Sequence, residues 1–362
     1  MSATSTERQT PTTENCRFCW MCRHVCPVGH VTSRETLTPH AWALTIESVR
    51  RGQLAWNNET AAVMYACADC GLCQTHCVTD QPLPDAIATA RAEIVRLGHA
   101  PTAILEFQRR LEASIGGSPA DFAKGNRALF VGGKAGPSGA GEVVAALHLL
   151  EAAGMPTVLA GDGRLTGLTA SSLGLIDVAR RLARDLVAAV EASGVTEVFV
   201  LRPADKWAFE YVYPKRLGVE WPSNVAVTEV TVALAGVVEK GGLKLSRRDA
   251  QPPAYHDPCH SPRIARDATA PRRLLAAIYG DQPAPELFWR AHRAHPCGAV
   301  GGLDVTHPDI ARQLTAARIE GALSAGATTL VTDDPVCLGE LRRHAQDRLD
   351  VVGLFTLLAR TS

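Results

Sequence analysis

The sequence predicts a two-part molecule: a small helical, cysteine-rich head over residues 1–126, then an α/β body of two related halves, 127–250 and 251–362. Three observations predict it. Eight of the eleven cysteines fall between Cys16 and Cys77. From Arg127 onward, short β-branched runs alternate with Ala/Leu-rich stretches of helical length, the pattern of βαβ units on a mainly parallel sheet. Finally, Gly194–Asp205 aligns without gaps on Gly326–Cys337. In each copy an Ala-rich helix leads into a strand that ends at a proline turn, Pro203 matching Pro335.

Composition narrows the classes of function. The 37 basic and 37 acidic residues cancel, so no bulk charge points to nucleic acid or to an anionic membrane. The longest apolar stretch, Val225–Val238, is interrupted by Glu229 and is too short to span a bilayer. Met1–Asn15 is polar and lacks the apolar core of a signal peptide. A cytoplasmic protein is expected, and thiols there stay reduced unless a metal holds them.

The head carries two cysteine runs. The first is Cys16-x-x-Cys19-x-x-Cys22-x-x-x-Cys26-Pro27, and the second is Cys67-x-x-Cys70-x-x-Cys73-x-x-x-Cys77, with Val78 in place of proline. This is the spacing of bacterial ferredoxins, used twice, and it predicts two [4Fe–4S] clusters. Three close thiolates hold one cluster and the fourth reaches across to the other. The expected ligands are Cys16, Cys19, Cys22 and Cys77 for one cluster, and Cys67, Cys70, Cys73 and Cys26 for the other. Zinc knuckles use two CxxC pairs and leave no place for the third cysteine of each run.

Forty residues separate the runs and read as helices. Thr38-Pro39 offers an N-cap and a proline at the first helical position, and Gly52 closes that helix. A second helix runs from Asn58 into Cys67. A third starts near Asp85, carries Ile87, Ala90, Ile94 and Leu97 on one face, and ends at Gly98. Helices between cysteine runs resemble the α-helical ferredoxin fold of succinate dehydrogenase iron–sulfur subunits and of the ferredoxin-like subunit of heterodisulfide reductase. His24, Asp69, Gln74 and His76 read as tuners of potential or as solvated residues around a metal loop, and none as a ligand.

In the first half of the body, Ala128–Val131 reads as a strand, Gly141–Ala153 as a helix and Thr157–Ala160 as a second strand. Val178–Ala192 reads as a helix and Thr196–Leu201 as a third strand. The glycine-rich turn Gly132–Gly141 matches neither a P-loop nor a dinucleotide fingerprint. The second half holds His256-Asp-Pro-Cys259-His260, Pro296-Cys297-Gly298 and Asp334-Pro-Val-Cys337.

These phrases resemble the cysteine-rich CCG family, found in heterodisulfide reductase, the glycolate oxidase iron–sulfur subunit and the iron–sulfur component of anaerobic glycerol-3-phosphate dehydrogenase. The family pattern is a lone Cys, a Cys-Cys-Gly and a Cys-x-x-Cys. Here Cys259, Cys297 and Cys337 are kept, while Pro296 and Asp334 replace the other two. In the first half Gly133, the Gly161-Asp-Gly run, Arg202 and Asp205 stand at the motif positions, so no cluster is expected there. The three late cysteines imply a third iron–sulfur cluster with His256, His260, His295 or Asp334 as fourth ligand, equally a zinc ion held by three Cys and one His or Asp, or buried remnants without metal.

The resemblance implies an electron-transfer subunit, itself without catalytic residues. Its donor would be a flavoprotein dehydrogenase, and its acceptor an electron-transfer flavoprotein or a membrane quinone-reducing partner. A reductase acting at the late cysteines, or a redox-sensing or structural protein, are the alternatives.

Overall fold

The computed structural model describes residues 13–14, 16–115, 122, 124–133, 137–162, 164–264 and 268–362. The polar N-terminus, apart from residues 13–14, and residues 134–136 of the glycine-rich turn lie outside the described residues, as does residue 163 of the Gly161 run.

The head is helical. Its first long helix, Pro39–Arg50, begins after an extended Thr38, and Pro39 supplies a first position whose missing N–H costs nothing. The next, Asn58–Tyr65, starts in a capping box: Asn57 accepts from the Glu59 and Thr60 N–H groups while its own N–H donates to Thr60. Trp42 ties the two together by donating to the Val63 carbonyl at 3.0 Å. The third, Leu83–Arg96, begins two residues earlier than its spacing suggests because Pro84 fits its first turn. It buries Leu83, Ile87, Ala90 and Ile94, whereas Leu97, expected on the same face, follows the last helical residue and stays exposed. A further helix, Thr102–Ile115, leads toward the body.

The body is built on two parallel sheets. Strands β1 (Arg127–Gly133), β2 (Val158–Asp162), β3 (Glu197–Val200) and β4 (Ala226–Glu229) lie in the order β2-β1-β3-β4. Strands β5 (Ala254–Tyr255), β6 (Thr329–Thr332) and β7 (Asp350–Gly353) lie in the order β5-β6-β7. All described pairings are parallel. Both β3 and β6 run into proline-started helices, Pro203–Trp207 and Pro335–Ala345. Likewise β4 and β7 run directly into Val230–Glu239 and Leu354–Ala359.

One apolar core joins the sheets, drawing Leu129 and Phe199 from the first, Tyr255 and Val331 from the second, and Leu149, Leu234, Ile278 and Phe355 from the helices. Glu142 in the helix Pro137–Ala152 stitches the ends together: it accepts from the Phe355 N–H at 3.0 Å and from Thr356 through both backbone and hydroxyl. None of the described helices is long and apolar enough to cross a membrane.

The head is bound to the body by buried charge. Arg91, 1% exposed, donates to the carbonyls of Met64 and Cys67 in the head and of Ser172 in the body at 2.6–3.1 Å. A wide π-type helix, Ala208–Leu217, carries Pro214 and delivers Arg216 to two head carboxylates. Arg216 grips Asp69 with two bonds of 2.8 and 3.0 Å and Asp85 with one of 2.8 Å. Asp69, one of the residues that the sequence offered as solvated, is therefore buried. Its neighbours Ser172 and Arg216 come from over a hundred residues away, beyond the reach of local pattern.

Candidate metal centres

The two cysteine runs adopt the same backbone path. Phe18 and Trp20 have φ of 50° and 65°, and Asp69 and Gly71, at the matching offsets, have 49° and 73°. Left-handed backbone at both offsets curls each loop around a common centre, and only Gly71 does so without steric penalty. Strain held by non-glycine residues is a mark of functional loops. Short helices follow in both, Met21–Val25 and Leu72–Thr75.

The thiols sort into two groups. Burial first, then Cys16, Cys77 and Cys19, raise Cys22 to about 11. Cys16 is likewise raised by burial and by Cys77 and Cys19. Burial also raises Cys26, with Cys70 and Cys67 adding to it. Cys73 is raised by burial, then by Cys67, Cys70 and Cys26. Cys77 thus acts on Cys16 and Cys22 of the first run, and Cys26 on Cys73 of the second.

Backbone N–H groups point at the sulfurs: Gly29 to Cys26, Asp69 to Cys67 and Gln81 to Cys77, each at 3.4 Å. At Cys77 burial is outweighed by the Gln81 N–H and the Thr79 hydroxyl, and its thiol is lowered. The first group is the more open, with Cys19 exposed and Cys16, Cys22 and Cys77 half-buried. In the second, Cys26, Cys67 and Cys70 are buried. Eight thiols, with backbone donors at Cys26, Cys67 and Cys77, have the donor chemistry of iron–sulfur clusters.

The late cysteines are brought together. Cys259, Cys297 and Cys337 are all buried and line one small cavity of about 50 Å³, with Arg202 from the first half in its wall. Ligand atoms of His256, Cys297 and Cys337 lie within 4.8 Å of one another. Cys337 is raised well above a normal thiol by its bond to Cys297 and by burial, and burial raises Cys259 similarly. Metal binding here has to displace thiol protons.

The structure separates the four candidates for a further ligand. Asp334 spends one oxygen as the N-cap of the helix Pro335–Ala345, accepting from Val336 and Cys337 N–H groups. His295 stacks on Trp289 and bonds the Val25 carbonyl at 3.2 Å. His260 stacks on Trp207 at 4.5 Å, its Nδ1 3.9 Å from the Cys259 sulfur. Only His256 joins two of the sulfurs. Arg318 donates to its Nδ1 at 3.1 Å, which puts the ring's proton on the unpartnered Nε2. A metal-bound histidine normally donates from its second nitrogen, so ligation through Nε2 needs the other tautomer, with Arg318 moved off Nδ1. The three sulfurs are the better donors.

A buried cation faces the three sulfurs. Arg318 is 3% exposed and its Nη2 has no partner among the described residues. Burial pushes it down to about 10, while Asp257, Cys297, Cys337 and Cys259 pull the other way. Asp257 is already paired with Arg272 at 2.8 and 3.0 Å. Three metal-bound thiolates supply the missing negative charge; three neutral thiols do not.

The space around Gly132 and Gly161 is filled. A Cβ at Gly161 would meet the Phe130 ring at 2.3 Å, and one at Gly132 would meet the Asp205 carboxylate at 3.1 Å. Arg202, Arg263 and Arg318 were not picked out as site cations by sequence. Arg202 alone carried a signal, since it stands where a ligand was lost.

Cys70 and Cys259 are close enough that Cys70 is the foremost charge acting on Cys259. The loop after Cys297 packs on the second cluster loop: a Cβ on Gly301, at φ 64°, would meet the Ala68 carbonyl at 2.4 Å. No side chain other than hydrogen fits between the two sites there.

Comparison with known proteins agrees with this arrangement. Residues 12–80 match the 4Fe-4S dicluster domain and residues 253–342 the cysteine-rich domain. The chain is 26% identical over 311 residues to a dihydromethanophenazine:CoB--CoM heterodisulfide reductase subunit of Methanosarcina acetivorans, covering 79% of this chain and 73% of that one. It is 24% identical over 205 residues to the probable glycolate oxidase iron-sulfur subunit of Bacillus subtilis, covering 55% of this chain and 45% of that one. The crystal structure of a hypothetical protein from Helicobacter pylori shares the fold, with a TM-score of 0.60, 9% identity, and coverage of 92% of this chain and 70% of that one. The chain is an iron–sulfur protein joining a 4Fe–4S dicluster domain to a cysteine-rich domain, related to subunits of oxidoreductases.

Proposed function

We propose that the chain is the electron-transfer subunit of a cytoplasmic oxidoreductase complex. In this reading the head, residues 1–126, takes electrons from a flavoprotein dehydrogenase partner. Cys16, Cys19, Cys22 and Cys77 hold one [4Fe–4S] cluster, and Cys67, Cys70, Cys73 and Cys26 hold the second. When bound, these clusters supply one-electron transfer. Cys259, Cys297 and Cys337 hold a third metal centre, either a cluster or zinc. The acceptor is an electron-transfer flavoprotein or a membrane quinone-reducing partner.

The observation that carries the reading is the junction between the second cysteine group and the third site. Gly301 and Gly302 press on Ala68 and Leu173, and Arg91 and Arg216 hold the same loop from the other side. These residues tie the loops of the two sites together. Dispersal of the three sites over distant faces would have argued for separate roles.

The body is read as two related halves, 127–250 and 251–362. In support, β3 and β6 fall in the gapless alignment at equal offsets, and each leads into a proline-started helix. The first half has lost its metal and contributes Arg202 to the other's cavity. That cavity supports a second reading, in which a small molecule is reduced at the third site.

Iron, acid-labile sulfide and zinc per chain on anaerobically purified protein test the assignment. About eight irons without zinc fix two clusters and leave the late cysteines empty; about twelve, or eight with one zinc, give the third site its metal. Flavoprotein-dependent dye reduction should be lost in Cys22→Ser and Cys70→Ser and kept in Cys337→Ala. Unchanged turnover in the first two ends the relay reading, and loss in Cys337→Ala moves the chemistry to the third site.

A further inference from the structure

Arg263 stands between the second cluster group and the third site and has no structural task for most of its hydrogens. It lies in the short helix Ser261–Ile264, directly after Cys259-His260. Its Cγ packs 3.5 Å from where a Cβ on Gly71 would lie, inside the loop between Cys70 and Cys73. Arg263, Cys70 and Gly71 line one cavity of about 430 Å³. Only Nη2 finds an acceptor, the Ala294 carbonyl at 2.8 Å; Nε and Nη1 are buried with no partner among the described residues.

A buried guanidinium with two idle N–H groups is costly, and such groups persist where an unseen acceptor meets them. Sulfur is among the acceptors of the cavity it lines, where Cys70 stands with Gln74, Thr75, Asp80 and Glu210. Arg263 is the leading charge acting on Cys70 and also acts on Cys259. Arg91 acts on Cys67, but its Nε, Nη1 and Nη2 are all taken by backbone carbonyls, so its role is to hold the chain. The first group has no equivalent. The leading influences on Cys16, Cys22 and Cys77 are burial, other thiols, hydrogen bonds and Asp80, none of them cationic.

We propose that Arg263 is a positioning residue for the cluster on Cys26, Cys67, Cys70 and Cys73: its Nε and Nη1 donate to that cluster's sulfurs and raise its reduction potential relative to burial alone. Burial opposes the extra negative charge of a reduced cluster, and this group is the more buried one. A fixed cation with N–H donors offsets that cost, since hydrogen bonds to the sulfurs and solvent exposure are the levers on cluster potential. Arg263 so keeps the enclosed centre, the one beside the third site, reducible. The inference rests on the cluster assignment proposed above.

The test is a potentiometric titration of the holoprotein followed by electron paramagnetic resonance, with Arg263→Gln and Arg263→Lys. Loss of one hydrogen bond to a charged group predicts about a tenfold lower reduction constant for one of the two clusters in Arg263→Gln. That corresponds to a midpoint about 59 mV more negative. Arg263→Lys should fall by less, and Arg17→Gln, beside the first group, should leave that cluster unmoved. An Arg263→Gln midpoint equal to the parent's, or an equal shift of both clusters, overturns the proposal. If Arg263→Gln does not assemble, Arg263→Lys decides, a lowered midpoint supporting the proposal and an unchanged one overturning it. A parent without about eight irons refutes the cluster assignment itself; a parent with them and an unmoved midpoint refutes only the role of Arg263.

Discussion

Replacing Arg91 with leucine should uncouple the head from the body. The side chain is 1% exposed and satisfies three carbonyls, those of Met64, Cys67 and Ser172, with four bonds. Leucine fills much of the volume but leaves those acceptors buried and unpaired, at about 1–3 kcal/mol each. Partial relaxation of the Cys67 loop lowers the sum, so the expected loss is about 3–6 kcal/mol, a large share of the ~5–15 kcal/mol that holds a domain folded. At roughly 2–4 °C per kcal/mol, the unfolding midpoint drops on the order of 10 °C. The assay is thermal unfolding of the anaerobic protein, with iron counted before and after gel filtration. Loss should fall on the cluster bound by Cys67, leaving about four irons per chain. A variant that keeps about eight irons and melts within 2 °C or so of the parent refutes the reasoning.

Other consequences follow from the same contacts. Gly301→Val forces a Cβ toward the Ala68 carbonyl from left-handed backbone, so stability should fall by at least about 1–2 kcal/mol; chemical denaturation checks it. Asp69→Asn removes a carboxylate gripped by Arg216 and leaves that cation buried with Asp85 alone, a loss of order 3 kcal/mol measurable by the same method. Cys337→Ala should abolish any zinc or iron beyond about eight per chain and leave the eight in place.

Glu229 sets a pH dependence. Burial first, then Asp333, raise it to about 7, against the pull of Lys206 and the Ser261 hydroxyl. A carboxyl with a raised folded pKa stabilises fully below its unfolded value and loses that contribution as pH climbs through the folded one. Stability should therefore fall between about pH 4.5 and 7, by of order 3 kcal/mol from this group. Glu229→Gln should flatten that slope; an unchanged slope removes Glu229 as its cause.

The chemistry of the head was legible because cluster ligation is written in local spacing. Each run sets three cysteines within seven residues, and residues 12–80 match the 4Fe-4S dicluster domain. The helices between the runs were legible for the same local reason: Thr38-Pro39 and Asn57–Thr60 carry their own start signals. The strands at Arg127–Gly133 and Glu197–Val200 followed from β-branched runs, with ends shifted by a residue or two.

Sequence alone also showed three cysteines, Cys259, Cys297 and Cys337, in the segment that matches the cysteine-rich domain. It did not determine what surrounds them. Whether Cys259, Cys297 and Cys337 meet, that His256 rather than Asp334 joins them, and that Arg202 crosses from the other half were decided by the packing of two sheets on one core. Asp69 read as a tuner of potential or a solvated residue and Arg263 drew no reading, and only tertiary structure made one a buried clasp and the other a donor with idle N–H groups. The physical reason is range. Metal spacing and helix caps act over a few residues, whereas burial, charge pairing and the close approach of Gly301 to Ala68 are set by segments that meet only in the folded chain.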